Sequence, residues 1–155
     1  MNIELRAARP SDRRSIERTY FETQRWLIEE LFGWRGDEFE RTKFAESYDE
    51  SASSIIVASG ADVGWLMIVR SGDEIELAQI YIVPESQSRG IGTILVNQLV
   101  DEARRNRIPL RLSTAKINPA RRLYERLGFV VTHEDQYKVY MEFRDQTSAE
   151  PTSSS

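Results

Sequence analysis

The chain has 155 residues, 40% of them hydrophobic and 30% charged, with a formal charge of −4. That length fits one domain around one buried core, and the mild acidity leaves no electrostatic footprint for nucleic-acid binding. With no cysteine and one histidine, His133, disulfides and thiolate or multi-histidine metal sites are excluded, so no metal is expected.

No run approaches the roughly 18 apolar residues of a spanning helix, and the N-terminus lacks the apolar stretch of a signal peptide. The expectation is a cytoplasmic protein with neither membrane nor nucleic-acid partners. Residues 3–7 alternate apolar and charged side chains, as a short strand does. Pro10-Ser11-Asp12 opens a helix with Ser11 or Asp12 as its cap, and Ile16, Tyr20, Leu27 and Leu31 share one of its faces. Gly33 and Gly36 interrupt that pattern before a second helix over 37–48, whose apolar face is thin. The Ser-rich stretch 51–54 reads as a loop.

Three strand-like runs follow at 55–59, 63–69 and 74–83, separated by turns at 60–62 and 71–73. The middle run is almost continuously apolar, which places it centrally. In the third, Ile75 and Leu77 set one parity, and Ala78, Ile80 and Ile82 continue on the other. A β-bulge or burial on both faces gives such a slip. Residues 92–105 form the clearest long helix, with Ile91, Leu95, Leu99 and Ala103 at four-residue steps. A strand over 110–114 leads to Asn118, which can cap a helix with Pro119 at its first position. Ala120, Leu123, Tyr124 and Leu127 form that helix's apolar face, and Gly128 ends it in the left-handed region with Phe129 folding back. Residues 129–132 and 137–143 make a final strand pair. The Thr-, Ser- and Pro-containing tail 145–155 is expected to be disordered, leaving 1–144 as a single domain. This order describes a mixed α/β sheet with helices on its faces.

Two segments carry chemistry. Gln87-Ser88-Arg89-Gly90-Ile91-Gly92 follows a strand and opens a helix. A glycine-rich turn there points successive backbone N–H groups at one anion, and the helix N-terminus adds partial positive charge. Leu95 stands where a dinucleotide fingerprint would have its third glycine, and no Lys-Ser or Lys-Thr follows as in a nucleotide-hydrolase P-loop. By itself Gly-x-Gly is also an ordinary turn. The second segment is Asn118-Pro119-Ala120-Arg121-Arg122-Leu123-Tyr124-Glu125-Arg126-Leu127-Gly128-Phe129.

Together the two segments resemble the GNAT acetyltransferase superfamily. There [QR]-x-x-G-x-[GA] holds the pyrophosphate of acetyl-CoA, and a downstream N-x-x-x-x-L-Y-x-x-L-G-F supplies a tyrosine near the thioester. The element order from Ile3 to Phe143 is similar as well. The resemblance implies a mixed, mainly antiparallel central sheet of six or seven strands with about four helices, and acetyl-CoA as cosubstrate. It implies that Gln87, Ser88, Arg89, Gly90, Ile91, Gly92 and Thr93 hold the CoA phosphates, and that the main chain of Ile80, Tyr81 and Ile82 pairs with the pantetheine arm. Asn118 stands six residues before Tyr124, where many relatives have seven, so it either contacts the cofactor arm or only caps its helix.

The implied reaction is direct attack of an amine on the thioester in a ternary complex. Tyr124 is the candidate acid for the leaving thiolate, or else a core aromatic on its helix. Glu76 is the candidate base, or else an exposed strand charge. Glu29, Glu30, Trp34, His133, Arg121 and Arg122 are read first as surface or packing residues. The acceptor is a primary amine of a small molecule or peptide. A protein N-terminus or lysine is the alternative, as is a non-catalytic CoA-binding module. A homodimer joined through the final strand pair is also compatible with the resemblance.

Overall fold

The computed structural model describes residues 1–144; residues 145–155, with the tail expected to be disordered, lie outside the described residues. The elements are β1 (Ile3–Ala7), α1 (Arg13–Phe32), α2 (Asp37–Ser47), β2 (Ser53–Ala58), β3 (Ala61–Arg70), β4 (Ile75–Ile82), α3 (Ile91–Asn106), β5 (Leu110–Ala115), α4 (Ala120–Arg126), β6 (Val130–Glu134) and β7 (Lys138–Phe143), with 3-10 turns at Pro10–Asp12, Glu50–Ala52 and Pro84–Ser86. This is the predicted order. The seven strands form a mixed sheet in the order β1-β2-β3-β4-β5-β7-β6. Among the described residues no helix is long and apolar enough to cross a membrane.

The chain divides into two compact units: Met1–Met67 with Gln79–Ile91, and Ile68–Ala78 with the chain from Gly92 on. In the first unit β1 pairs antiparallel with β2, and β2 with β3. The β2–β3 turn is shorter than predicted, because Ala58 and Ala61 already pair and only Ser59 and Gly60 remain in it. β2 begins at Ser53, inside the predicted Ser-rich loop. Its entry is fixed by Asp49, whose carboxylate accepts from the Ser51 N–H at 3.0 Å while its carbonyl accepts from the Ser53 hydroxyl at 2.7 Å. A register shift occurs on the β2–β3 ladder. Ile56 faces Gly64 and Val57 faces Asp62, so Val63 is the extra residue. On β4, Ala78 through Ile82 are all half-buried, so side chains of both parities are partly covered there.

Asp12 precedes α1 but does not cap it with its side chain. Its carboxylate takes both Arg6 Nη groups, at 2.9 and 3.0 Å, and the Arg9 N–H at 2.8 Å. An arginine fork is the stronger partner, and the α1 entry is thereby tied to β1. The core of this unit holds Ile16, Phe44, Ile55, Ile56, Trp65 and Leu66, each at most 3% exposed. Aromatic contacts run from Tyr20 to Phe44, Phe44 to Trp65 and Trp65 to Tyr81. Each such ring, once buried, removes more apolar area from water than any aliphatic side chain.

In the second unit β4 starts parallel to β5, with Ile75 facing Leu110 and Glu76 facing Arg111. β5 pairs antiparallel with β7, and β7 with β6. Strand alternation buries Ile75, Leu77, Leu110, Leu112, Val139 and Met141. α3 buries the periodic set Leu95, Val96, Leu99, Val100 and Ala103, as its four-residue steps predicted. Two contacts fix the helix: Glu102 accepts Arg70 at 2.7 and 2.9 Å, and the Arg104 guanidinium lies over the Phe143 ring.

Candidate active site

The first group of site residues lies at the end of β4. The turn Pro84–Ser86 follows it and is closed by the Ser86 N–H donating to Val83 and the Gln87 N–H to Pro84. The Gln87 side-chain amide donates to the Ile82 carbonyl at 2.9 Å, so it fastens the loop to the strand end. Ser88 and Gly90 both have positive φ, 65° and 82°. Alternating backbone signs across Ser88, Arg89 and Gly90 curl the chain so that N–H groups gather on one concave side. For Ser88 this left-handed conformation is strained, and such strain concentrates at functional loops. A Cβ at Gly90 or Gly92 would meet no heavy atom within 4 Å, so both positions are open to a ligand. The loop, including Arg89, is exposed, and α3 begins at once with Ile91. Its first N–H groups have no carbonyl within the helix to bind.

Gly64 on β3 brings that strand against β4. A Cβ there would run into the Tyr81 carbonyl oxygen and would lie 3.2 Å from the Ile82 Cα. The main chain of Tyr81 and Ile82 is therefore positioned by a residue that only glycine can be. The Tyr81 hydroxyl donates to the Gln79 side-chain oxygen, and its ring meets Tyr20 edge-on.

In the second unit α4 carries Tyr124, 7% exposed, with its ring edge-on to Phe129. Burial pushes its phenol up to about 12, so the hydroxyl keeps its proton at neutral pH. Phe129 folds back as predicted: Gly128 has φ of 101°, and the Phe129 N–H donates to the Tyr124 carbonyl at 3.0 Å. α4 begins at Ala120 with Pro119 in the cap position, one residue later than predicted, and Asn118 still serves the helix start: its Oδ1 accepts from the Ala120 N–H at 2.9 Å. Glu76 is exposed on β4 beside Arg111, at the wall of a cavity of about 420 Å³ that Ser113, His133 and Tyr140 also line.

The sequence pattern of the acetyltransferase (GNAT) family matches residues 15–129. The chain belongs to the GNAT acetyltransferase family. As a member it is an N-acetyltransferase whose acetyl donor is acetyl-CoA. Its fold is similar to PaiA N-acetyltransferase from Thermoplasma acidophilum, solved with coenzyme A, at TM-score 0.73 and 19% identity over 94% of this chain and 100% of that one. It is similar to Ard1 from Thermoplasma volcanium at TM-score 0.64 and 17% identity, over 93% and 98% of the two chains. N-acetylglutamate synthase from Neisseria gonorrhoeae, solved with coenzyme A and N-acetyl-glutamate, matches at TM-score 0.63 and 20% identity, over 93% of this chain and 35% of that one. No curated protein matches the chain.

Several residues of this acetyltransferase have structural partners. Glu29 pairs with Arg25 at 2.7 Å, and Arg121 with Glu125 at 3.7 Å. Trp34 donates to Asp37 at 2.9 Å and lies under the Arg25 guanidinium. His133 stacks on Tyr140, ring centroids 4.3 Å apart. Sequence reading missed the polar network around Glu76. Arg111 donates to Glu142 at 2.9 Å and to Glu74 at 2.7 Å, and Arg144 pairs with Glu142 at 2.6 Å. Its only sequence signal is polar residues on alternate strand positions, which an ordinary solvated face shares.

Proposed function

We propose that residues 1–144 act as one N-acetyltransferase domain that transfers acetyl from acetyl-CoA to a primary amine by direct attack. The observation that carries this is the alternating-φ loop over Ser88, Arg89 and Gly90 running straight into the N-terminus of α3. Such a cradle suits a pyrophosphate in shape and in charge. Gln87 fastens it, while the main chain of Ser88, Arg89, Gly90, Ile91, Gly92 and Thr93 donates to the phosphates. Ile80, Tyr81 and Ile82 offer their main chain to the pantetheine arm as an added strand. Asn118 spends its side-chain oxygen on the cap, so its amide N–H is what remains for the cofactor arm.

Acetyl-CoA supplies the activated acetyl group. A backbone N–H of β4 faces the charge that develops on the carbonyl oxygen. Glu76 takes, through bridging water, the proton that the amine nitrogen loses as the N–C bond forms. Tyr124 gives its proton to the sulfur as the C–S bond breaks. A buried phenol held near 12 is a poor base and a durable donor, which favours this direction of transfer.

Thermal unfolding with millimolar acetyl-CoA, against ATP as a phosphate control, tests the reading. Ligand at about 100 times its dissociation constant adds roughly 2.7 kcal/mol, a rise of several degrees. A rise with acetyl-CoA and none with ATP is the expected result; equal curves would sink it.

A further inference from the structure

The second unit presents one face of β4, β5, β7 and β6 that the alternation leaves polar. Its cavity of about 420 Å³ is large enough for a small organic molecule. The charges on this face are almost all paired. Arg111 bridges Glu74 and Glu142, and the second Glu142 oxygen is taken by Arg144. Glu76 stands beside Arg111 in register, yet among the described residues it enters no ion pair or hydrogen bond, because that guanidinium is already used twice. One uncompensated carboxylate remains, and it attracts a cation.

The other end of the cavity is aromatic. Ser113, Tyr140 and His133 lie side by side on β5, β7 and β6. The His133 and Tyr140 rings are parallel, 4° apart in plane. The Tyr140 hydroxyl donates to Asp135 at 2.9 Å, and the Thr132 hydroxyl lies 2.9 Å from His133 Nδ1. Both rings are thus held in place. β7 lies between β5 and β6, so His133 covers one face of the Tyr140 ring and the opposite face looks across the short side chain of Ser113. A third planar ring fits there and extends the stack. From Ser113 to Glu76 is one strand across and two residues along, roughly 8 Å between Cα positions. Less the reach of the glutamate, a two- or three-carbon arm spans the gap.

We propose that this cavity is the acceptor site and takes an arylalkylamine, its ring stacked on Tyr140 and its ammonium at Glu76. The inference rests on Glu76 as the base of the transferase reading. His133 is the chain's one histidine, so its proton NMR signals report the cavity without ambiguity. The full chain is titrated with 2-phenylethylamine, n-butylamine and 2-phenylethanol, and acetyl-CoA thermal shifts are recorded on the same preparations.

The phenylethylamine should move the His133 signals saturably, and bind about tenfold tighter than either analogue, as one stacked ring or one ion pair allows. Tyr140→Ala and Glu76→Gln should each weaken it about tenfold, whereas Tyr140→Phe, which keeps the ring, should hold within about twofold. An unmoved His133, butylamine binding equally well, or a Tyr140→Ala protein that binds normally would overturn the acceptor assignment. If acetyl-CoA still raises the unfolding temperature in those cases, the acceptor assignment falls alone. If acetyl-CoA has no effect, the transferase reading falls and the acceptor role falls with it, even where the amine binds.

Discussion

Tyr124 can be tested by removing one oxygen. If it protonates the leaving sulfur, Tyr124→Phe lowers kcat by about 10²-fold or more, the usual contribution of a positioned acid. The ring contact with Phe129 survives, so the acetyl-CoA thermal shift should persist. A kcat within about threefold of the parent would make Tyr124 a packing residue. Asp12 gives a second single-residue test. Its carboxyl is held at about 2, first by hydrogen bonds from Arg6 and then by the Arg9 N–H. The folded value lies below the unfolded one, so the stabilisation is fully present above about pH 4 and is lost as pH falls through about 2. Allowing for the partial exposure of Arg6, Asp12→Asn should cost about 1–2 kcal/mol at pH 7. Urea unfolding at pH 7 and at pH 2.5 checks it, and the gap between the two proteins should shrink to about a third at the lower pH, where the folded carboxyl is still partly ionised. A gap unchanged at pH 2.5 would mean that the carboxylate charge is not what stabilises the α1 entry.

At the level of elements, the parts written contiguously in the chain were the legible ones. The four-residue steps of α3 and the Asn118-to-Phe129 run of α4 each contain their own start, face and stop. The proposed cradle and Tyr124 likewise sit in unbroken stretches of the chain. Features set by a neighbouring strand were hidden. Val63 becomes the extra residue only because of how β2 pairs with β3. The Arg111–Glu142 pair joins residues 31 apart in sequence, and His133 and Tyr140 stack only once β6 and β7 are in register. Gly64 belongs to the hidden class as well, since nothing in its local sequence says that the Tyr81 carbonyl lies against it. Gly64→Ala forces β3 and β4 apart at that point. We expect a loss of about 1–3 kcal/mol, the usual cost of overpacking, read as a lower urea midpoint. The displacement falls on the main chain proposed to pair with pantetheine, so acetyl-CoA affinity should drop as well. Lost stability with unchanged affinity would detach Tyr81 and Ile82 from the cofactor.

Over the whole molecule, the two compact units are interleaved along the chain. β3 leaves the first unit at Met67 and enters the second at Ile68, and β4 returns from Ala78 to Gln79. Unfolding either unit alone would cut two continuous strands in mid-run and leave their ladder groups unpaired. A single cooperative transition is therefore expected despite the two clusters. Intrinsic probes separate them cleanly. Trp26, Trp34 and Trp65 all lie in the first unit, while His133 lies in the second. Tryptophan fluorescence, His133 NMR intensity and far-ultraviolet circular dichroism should share one thermal midpoint. Acetyl-CoA should therefore raise the fluorescence and NMR midpoints by the same amount. A fluorescence midpoint several degrees from the His133 midpoint would mean that residues 1–144 unfold as two bodies. Stabilisation of one probe without the other would confine the cofactor to that unit.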